Sequence, residues 1–256
     1  MKAVFNIKNV SKVYGADTKA LSHIDLEIYE NEFLCFLGPS GCGKSTLLEI
    51  IAGLQKQTDG EVLFEGISHD KPSKHIGFVF QDASLFPWRT IIDNIAIGLE
   101  LNGMSKKERY EIANYYLDLV GLNGFGKKYP HQLSGGMRQR AGIARALANN
   151  PKVLLMDEPF GAVDHLTRIQ LQNDLLEIFI KQKTTIVFVT HDVSEAVFLA
   201  DRIVLFSPRP GRIKNIYKVP VPRPRNRDDK LLIDLQNRIY NELLGIETQK
   251  MPEYSI

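Results

Sequence analysis

The sequence is short of cysteine and of long apolar runs, and both shortages restrict where the chain can work. Its 256 residues include two cysteines, Cys35 and Cys42. Cys42 lies in a glycine-rich loop that a disulfide would distort, so we expect both cysteines to be reduced thiols in the cytosol. No apolar run approaches the roughly 20 residues that cross a bilayer, and we expect no signal peptide at Met1–Asn6. Contact with a membrane is therefore expected to depend on a partner protein.

The sequence also lacks an excess of charge of either sign. It has 32 lysines and arginines against 30 aspartates and glutamates, a net charge of +2. Proteins that bind the phosphate backbone of nucleic acids need a basic surface, so we expect no nucleic-acid partner. With 44% hydrophobic residues, the chain can bury one large domain, or a core with a smaller lobe.

Short apolar runs alternate with helical patterns along the chain, which is typical of an α/β fold with strands buried between helices. The predicted strands are Phe33–Leu37, Ile76–Phe80, Val153–Met156, Thr185–Thr190 and Arg202–Phe206. The predicted helices of the core are Lys44–Leu54, Gly135–Asn149 and His165–Lys183.

The segment from about Phe86 to Asn150 has no convincing strand. Asp93–Leu101 and Ser105–Val120 have helical patterns, and Ser105 followed by Glu108 forms the capping box that begins a helix. We interpret this segment as a helical lobe inserted between two parts of one core.

The C-terminal part changes character again. Val219–Arg227 is rich in proline and arginine, and Asp228–Leu244 has a helical pattern. Because the overall charge is nearly neutral, we expect an extended connector with solvated charges. The alternative is a polybasic contact with lipid headgroups.

A phosphate-binding loop follows the first predicted strand. Gly38-Pro39-Ser40-Gly41-Cys42-Gly43-Lys44-Ser45-Thr46 matches the pattern G-x-x-x-x-G-K-[ST]. The glycines let backbone amides curl around an anion, and the next helix adds its positive end. Lys44 is predicted to reach the β- and γ-phosphates, and Ser45 to bind Mg²⁺. This motif alone predicts a nucleoside triphosphatase or a kinase.

Two acids end the strand that begins at Val153. Asp157 then lies at the carboxyl end of a buried strand, where a carboxylate reaches the ligand crevice of a parallel sheet and can hold Mg²⁺ through water. Glu158 extends beyond it and can orient or deprotonate an attacking water. Taken alone, Asp157 and Glu158 could be a polar turn after a strand. Because a phosphate loop comes earlier on the same predicted sheet, a role in hydrolysis is favoured.

A second helix start can bind an anion. Ser134 is a good N-cap, and Gly135 and Gly136 allow close approach of a ligand to the backbone. Taken alone, this is an ordinary capped helix. Its sequence, LSGGMRQR, resembles the signature motif of ABC ATPases, and the phosphate loop, Gln81, LSGG, Asp157-Glu158, Asp164 and His191 follow the order of that family.

The resemblance extends over roughly Phe5 to Val221 and implies a fold. It predicts a single domain with a P-loop NTPase (RecA-like) core at residues 1–86 and 151–225, which carries an antiparallel β subdomain. An inserted α-helical subdomain occupies residues 87–150, and a helical C-terminal tail occupies residues 226–256.

The resemblance also implies roles for individual residues. Catalysis is assigned to Glu158, His191, Gln81 and Lys44, with His191 as the switch histidine that contacts the γ-phosphate. Gln81, Ser45 and Asp157 are assigned to Mg²⁺, and Tyr14 to stacking on adenine. Ser134, Gly135, Gly136 and Asp164 would contact ATP held by a second, opposed ATPase subunit, so a homodimer is expected.

Finer motifs are similar to those of importer ATPases of the nitrate/sulfonate/taurine type: Phe-Pro-Trp after Gln81, PHQLSGGMRQR, DEPFGAVD and SPRPGRI. That family implies a peripheral subunit at the cytoplasmic face of the membrane. Its partners would be an integral membrane permease and, indirectly, an extracytoplasmic substrate-binding protein. Leu85–Trp88 is then a candidate docking segment for a permease helix, with core packing as the alternative.

Two other functions fit parts of the sequence. A soluble ABC ATPase of the cluster-assembly or lipoprotein-release type would have a similar size. A nucleotide sensor without catalysis would need neither Glu158 nor His191. The presence of both residues argues against the sensor, so the soluble ABC ATPase is the main alternative to the importer.

Overall fold

A computed structural model describes residues 2–15, 17–161 and 163–245; the last part of the predicted tail, 246–256, lies outside the described residues. Within them, no helix combines the length and the apolarity needed to span a bilayer. The strands form two sheets, of four and six strands.

The four-stranded sheet is antiparallel and has the order β2-β1-β4-β5. Its strands are β1 (Ala3–Tyr14), β2 (Thr18–Tyr29), β4 (Asp59–Phe64) and β5 (Ile67–Ser68). Alternate residues of β2, such as Ile24, Leu26 and Ile28, are buried and pack towards the first helix of the core. The helical and strand patterns of the sequence did not single out these strands.

The six-stranded sheet has the order β10-β9-β3-β8-β7-β6 and is parallel except for β10. Its strands are β3 (Phe33–Leu37), β6 (Ile76–Val79), β7 (Val153–Asp157), β8 (Thr185–Thr190), β9 (Arg202–Phe206) and β10 (Ile213–Lys218). The five parallel strands are the α/β core that the sequence predicts, with β6 one residue shorter and β7 one residue longer than expected. The sequence patterns did not single out β10.

Helices cover both faces of the six-stranded sheet, so its central strands are buried on both sides. In β3, Phe33 and Cys35 face one hydrophobic cluster, and Leu34 and Phe36 face the other. The core helices are α1 (Lys44–Ile51), α5 (His165–Gln182), α6 (Val193–Leu199) and α7 (Lys230–Leu244). Cys35 and Cys42 are both unpaired.

Three helices lie in the chain between β6 and β7: α2 (Ile91–Leu101), α3 (Lys106–Leu119) and α4 (Gly135–Ala148). They pack on one another through residues such as Ile95, Leu117 and Ile143. The capping box predicted for Ser105 and Glu108 is present at the start of α3. These helices form the inserted helical lobe.

The expectation of solvated charges in the proline- and arginine-rich segment is wrong. The Arg225 side chain is 2% exposed, and its Nη1 donates to the carbonyls of Phe198 and Ala200, each at 2.8 Å. Arg223 pairs with Asp201 and donates to the Leu199 carbonyl. The last carbonyls of a helix lack partners within it and carry its negative end, so the arginines are drawn to α6. Burial, together with Arg223, lowers the pKa of Arg225 to about 10.

Candidate functional site: a phosphate loop beside paired carboxylates

Four parallel strands end side by side at one edge of the six-stranded sheet. Leu37 of β3 is level with Thr190 of β8, Val189 of β8 with Asp157, and Met156 of β7 with Val79 of β6. The residues that follow these positions are the phosphate loop, His191, Glu158 and Gln81. The sheet therefore brings together candidates that are up to about 150 residues apart in the chain.

The phosphate loop joins β3 to α1 and is held around its own lysine. Lys44 is buried, and its Nζ donates to the carbonyls of Gly38 at 2.8 Å and Pro39 at 2.9 Å. Gly43 has φ +107°, and a Cβ there would lie 2.8 Å from the Ala20 carbonyl oxygen. Glycine is thus required for the turn that aims the first amides of α1 towards the loop.

The two predicted metal ligands from the loop and from β7 are in contact. Ser45 Oγ donates to Asp157 Oδ1 at 2.9 Å. Burial raises the pKa of Asp157, and the neighbouring Glu158 adds to the rise, whereas Ser45 and Lys44 oppose it. A hydroxyl and a carboxylate are the hard oxygen donors that Mg²⁺ prefers.

Among the described residues, no group of three or more His, Cys, Asp and Glu could enclose a metal. The hydroxyl of Ser45 and the carboxylate of Asp157 fit a Mg²⁺ ion that keeps water and phosphate oxygens as its other ligands, as such sites usually do. Gln81, the third residue predicted to bind the metal, follows the neighbouring strand β6.

Glu158 and His191 form a pair at the ends of β7 and β8. Glu158 has φ +42°, a backbone conformation that a non-glycine residue seldom adopts and that is concentrated at functional sites. Its amide donates to the Val189 carbonyl at 3.1 Å, and its Oε2 lies 3.0 Å from His191 Nδ1. The carboxylate thus points over the strand ends, where it can accept a proton from a water.

Gln81 is exposed just after β6. Its Nε2 lies 3.8 Å from the position that a Cβ on Gly161 would take, so it faces the turn that follows Glu158. Helix α4 holds the neighbouring backbone, since Gln139 Nε2 donates to the Phe80 carbonyl at 3.2 Å and Arg145 donates to the carbonyls of Ala83 and Ser84. The helical lobe is therefore fastened to the segment that carries Gln81.

Tyr14 ends β1 and is partly exposed. Its hydroxyl donates to Gln55 Oε1 at 2.7 Å and lies 3.5 Å from Thr46 Oγ1. The tyrosine is thus beside the phosphate loop, as the adenine-stacking prediction requires.

The signature residues stand apart from the phosphate loop. Ser134 Oγ accepts from the Met137 amide at 3.3 Å and so caps its own helix, of which Gly135 is the first residue. A Cβ on Gly136 would lie 3.0 Å from both Val163 and Thr167. Asp164 caps α5 by accepting from the Thr167 amide at 3.1 Å. Hydrogen bonds from the side chain and then the amide of Thr167 lower the pKa of Asp164.

The sequence did not single out the buried polar residues behind the strand ends. Glu195 and Gln172 are almost completely buried and hydrogen bonded to each other. The available signal was the position of Glu195, four residues after His191 in a helix that begins at Asp192. The role of Gln139 had no comparable signal, because its partner is a backbone carbonyl on another lobe.

Comparisons with known proteins agree with this geometry. A family model described as ABC transporter matches residues 21–161. An uncharacterized ABC transporter ATP-binding protein of Methanocaldococcus jannaschii is 52% identical over 246 residues, which are 95% of this chain and 92% of that protein. The aliphatic sulfonates import ATP-binding protein SsuB of Bacillus cereus is 43% identical over 240 residues, 93% of this chain and 94% of the relative.

Solved structures agree as well. A dimeric ATP-binding cassette in a post-hydrolysis state, bound to ADP and Pi, is 37% identical with a TM-score of 0.77 and covers 85% of this chain and 100% of its own. The predicted P-loop NTPase fold is confirmed by this likeness. The chain therefore belongs to the ABC transporter family and is an ATP-binding, ATP-hydrolysing subunit.

Proposed function

We propose that this chain energises an importer of a small anion of the nitrate/sulfonate/taurine type, at the cytoplasmic face of the membrane. Two such chains would close on ATP and drive an integral membrane permease, which receives its solute from an extracytoplasmic binding protein. The observation that carries the proposal is the separation of two anion-binding helix starts onto two lobes, with the hydrolytic carboxylate beside the first. The similarity to an aliphatic sulfonate import ATPase supports the solute class.

ATP binding begins at the phosphate loop. The β- and γ-phosphates replace the carbonyls of Gly38 and Pro39 as partners of the Lys44 ammonium, and the first amides of α1 donate to phosphate oxygens. Ser45, Asp157 and Gln81 would hold Mg²⁺, which neutralises charge on the phosphates. Tyr14 stacks on the adenine from the side of Thr46.

Hydrolysis needs a water placed in line with the γ-phosphate. Glu158 accepts its proton as the oxygen attacks phosphorus, and the bond to the leaving ADP oxygen breaks. His191, 3.0 Å from the Glu158 carboxylate, contacts the γ-phosphate from the next strand end. Because a protein that only senses ATP needs neither group, the pair favours an enzyme over a sensor.

Dimer closure would place the second anion site over the first. Ser134 and the start of α4 from one subunit meet the γ-phosphate that the other subunit holds, and Asp164 lies at the same interface. ATP then bridges two subunits, and its hydrolysis removes the contacts that keep them together.

A groove for the permease lies between the core and the helical lobe. Its volume is about 360 Å³, and Phe78 of β6, Ile97 and Leu101 of α2, and Arg145 of α4 are among its lining residues. Arg145 also holds Ala83 and Ser84, so the groove adjoins the segment after Gln81.

Trp88 lies in that same segment and is 72% exposed, with its ring 5.5 Å from that of Phe86. An exposed tryptophan in the segment that adjoins the groove favours docking over the alternative of core packing. An amphipathic helix of the permease would place its apolar side chains in the groove.

The experiment is co-expression with candidate permeases, followed by co-purification and an ATPase assay of the complex. Trp88→Ala should weaken permease binding and lower permease-stimulated hydrolysis by about tenfold. Tyr115→Ala is the matched control, because Tyr115 is an exposed aromatic on α3 and lies outside the Leu85–Trp88 segment. Unchanged binding and stimulation in Trp88→Ala would remove the docking assignment.

The same co-purification separates the importer from a soluble ABC ATPase. Recovery of a polytopic membrane protein and ATP-dependent uptake of a sulfonate or nitrate support the importer. Recovery of cluster-assembly partners without a membrane protein would support the soluble alternative instead.

A further inference from the structure

The peptide that carries His191 is held by a buried hydroxyl. Thr190 Oγ1 accepts from the amide of Asp192 at 3.0 Å and donates to Glu195 Oε2 at 2.7 Å. His191 lies between Thr190 and Asp192, so these two bonds fasten the backbone on both sides of it. The imidazole itself is 58% exposed, and in the described part of the chain its side-chain hydrogen bond is to Glu158. Its position is therefore set mainly through the main chain.

The hydrogen bonds continue from Glu195 into two other segments. Gln172 Nε2 of α5 donates to Glu195 Oε1 at 3.1 Å, and Arg227 Nη2 donates to Gln172 Oε1 at 2.7 Å. Glu195 is 5% exposed and Gln172 is 2% exposed. The Arg227 guanidinium lies over the Phe198 ring, 3.6 Å from its centre. Arg227, Gln172, Glu195 and Thr190 thus form one chain of hydrogen bonds, which we call the relay.

The relay has one order of donors and acceptors. An arginine only donates, an ionised carboxylate only accepts, and the amide of Gln172 does both. Glu195 accepts from Gln172 on one oxygen and from Thr190 on the other. Arg168 Nε, 3.7 Å from Glu195 Oε1, is the nearby positive charge. A buried polar group that loses its hydrogen-bond partner costs free energy. Exchanging a donor for an acceptor at one residue of the relay therefore disturbs the residues next to it.

We propose that Glu195, Gln172 and Arg227 are positioning residues that fix His191 over the γ-phosphate site, and that Arg227 thereby connects the C-terminal segment to the hydrolytic machinery. The proposal rests on the catalytic role proposed above for His191. It gives the arginine-rich segment a function besides capping α6, and it gives α5, which begins at Asp164, a direct connection to the switch histidine.

The test exchanges the two central members of the relay. Gln172→Glu places a second carboxylate against Glu195, so two acceptors face each other. In Glu195→Gln, one orientation of the new amide sets its NH2 group against that of Gln172, and the other leaves the Thr190 hydroxyl without an acceptor. The double variant restores the order of donors and acceptors. The new glutamate at position 172 accepts from Arg227, and the new glutamine at position 195 donates to that glutamate and accepts from Thr190. All these variants are isosteric, so a role in packing alone would give no restoration.

Two readouts are measured on the full chain. In steady-state hydrolysis of MgATP, each single variant should lower kcat by roughly tenfold with KM within about twofold, and the double variant should return kcat to within about threefold. In nucleotide-free protein, the imidazole proton resonance of His191, assigned with His191→Ala, should move in each single variant and return in the double variant.

Arginine variants supply the matched control. Arg227→Ala should displace the His191 resonance, whereas Arg225→Ala, in the same segment but bonded to α6 carbonyls, should leave it in place. Equal displacement by both, an unmoved resonance in the single variants, or no restoration in the double variant would each overturn the relay. A resonance that moves and returns as expected while kcat stays constant would leave the relay standing and remove the catalytic role of His191.

Discussion

The two anion-binding helix starts differ in how their first amides are satisfied. The N-cap of α1 is Gly43, which has no side chain to accept a hydrogen bond, whereas the N-cap of α4 is Ser134, whose hydroxyl accepts from the Met137 amide. Of the seven α-helices in the described residues, α1 is the one whose N-cap supplies no side-chain acceptor. Its amides are therefore left for a phosphate.

The surroundings of the two helix starts also differ, because polar groups surround the start of α1 and packed side chains surround the start of α4. The neighbouring strand ends bring polar groups to the start of α1, where Asp157 contacts Ser45. The start of α4 packs instead on Val163 and Thr167 at the beginning of α5. The first site therefore has the groups that bind ATP within one subunit, whereas the second is the one that we propose to act across an interface.

The largest expected effect is at the carboxylate beside α1. Glu158→Gln keeps the shape of the side chain but removes its basicity, so kcat should fall by about 10²–10⁴ while ATP binding and ATP-driven dimerisation persist. Hydrolysis assays and size-exclusion chromatography with ATP measure the two effects. Wild-type turnover in this variant would remove Glu158 from catalysis.

Next in size is the loss of the loop lysine. Lys44→Ala removes a buried ammonium whose charge-assisted bonds to phosphate contribute about 2–3 kcal/mol, so ATP affinity should fall by roughly 30- to 150-fold. Calorimetric titration of the monomer with ATP measures the change. Retained affinity would mean that the loop amides alone hold the phosphates.

The corresponding change at α4 should act only on the dimer. Ser134→Ala should leave ATP affinity of the monomer within about twofold and lower dimer-dependent hydrolysis by roughly tenfold, since a cap contributes about 1 kcal/mol to its helix and we propose that the hydroxyl contacts the opposite nucleotide. Ser105→Ala, which removes the cap of α3 on the same lobe, is the control and should spare hydrolysis. Weakened monomer binding in Ser134→Ala would contradict the two-lobe arrangement.

The smallest expected effect is at Gly136. A Cβ there would lie 3.0 Å from Val163 and Thr167, and overpacking of about 1–3 kcal/mol opposes the gain of about 1 kcal/mol in helix propensity. Gly136→Ala should thus lower the free energy of unfolding by about 1 kcal/mol. In Gly142→Ala the nearest contact is 3.4 Å, and denaturant unfolding should find it equally or more stable. The reverse order would mean that α4 is not tightly packed on α5.

Some of the fold and site could be predicted because the signals are local. β3, β8 and β9 follow from apolar runs between helical patterns, and the phosphate loop follows from a spacing that glycine and lysine chemistry requires. The strands β1, β2 and β4 gave weaker sequence patterns than the central strands. About half or more of their residues are exposed or only partly buried, so they lack a continuous apolar run. The positions of Arg223 and Arg225 could not be predicted, because the α6 carbonyls that attract them come from another part of the chain.

The sequence by itself determined the chemistry of this protein. It supplies Lys44, Asp157, Glu158 and His191 in an order that is typical of ATP hydrolysis, and it leaves α1 uncapped. Tertiary structure decided which groups meet, because the register of parallel strands, and not spacing in the chain, places Ser45 against Asp157 and Glu158 against His191. It also decided that Arg227 reaches Gln172, since a buried acceptor far away in sequence is satisfied only once the chain has folded.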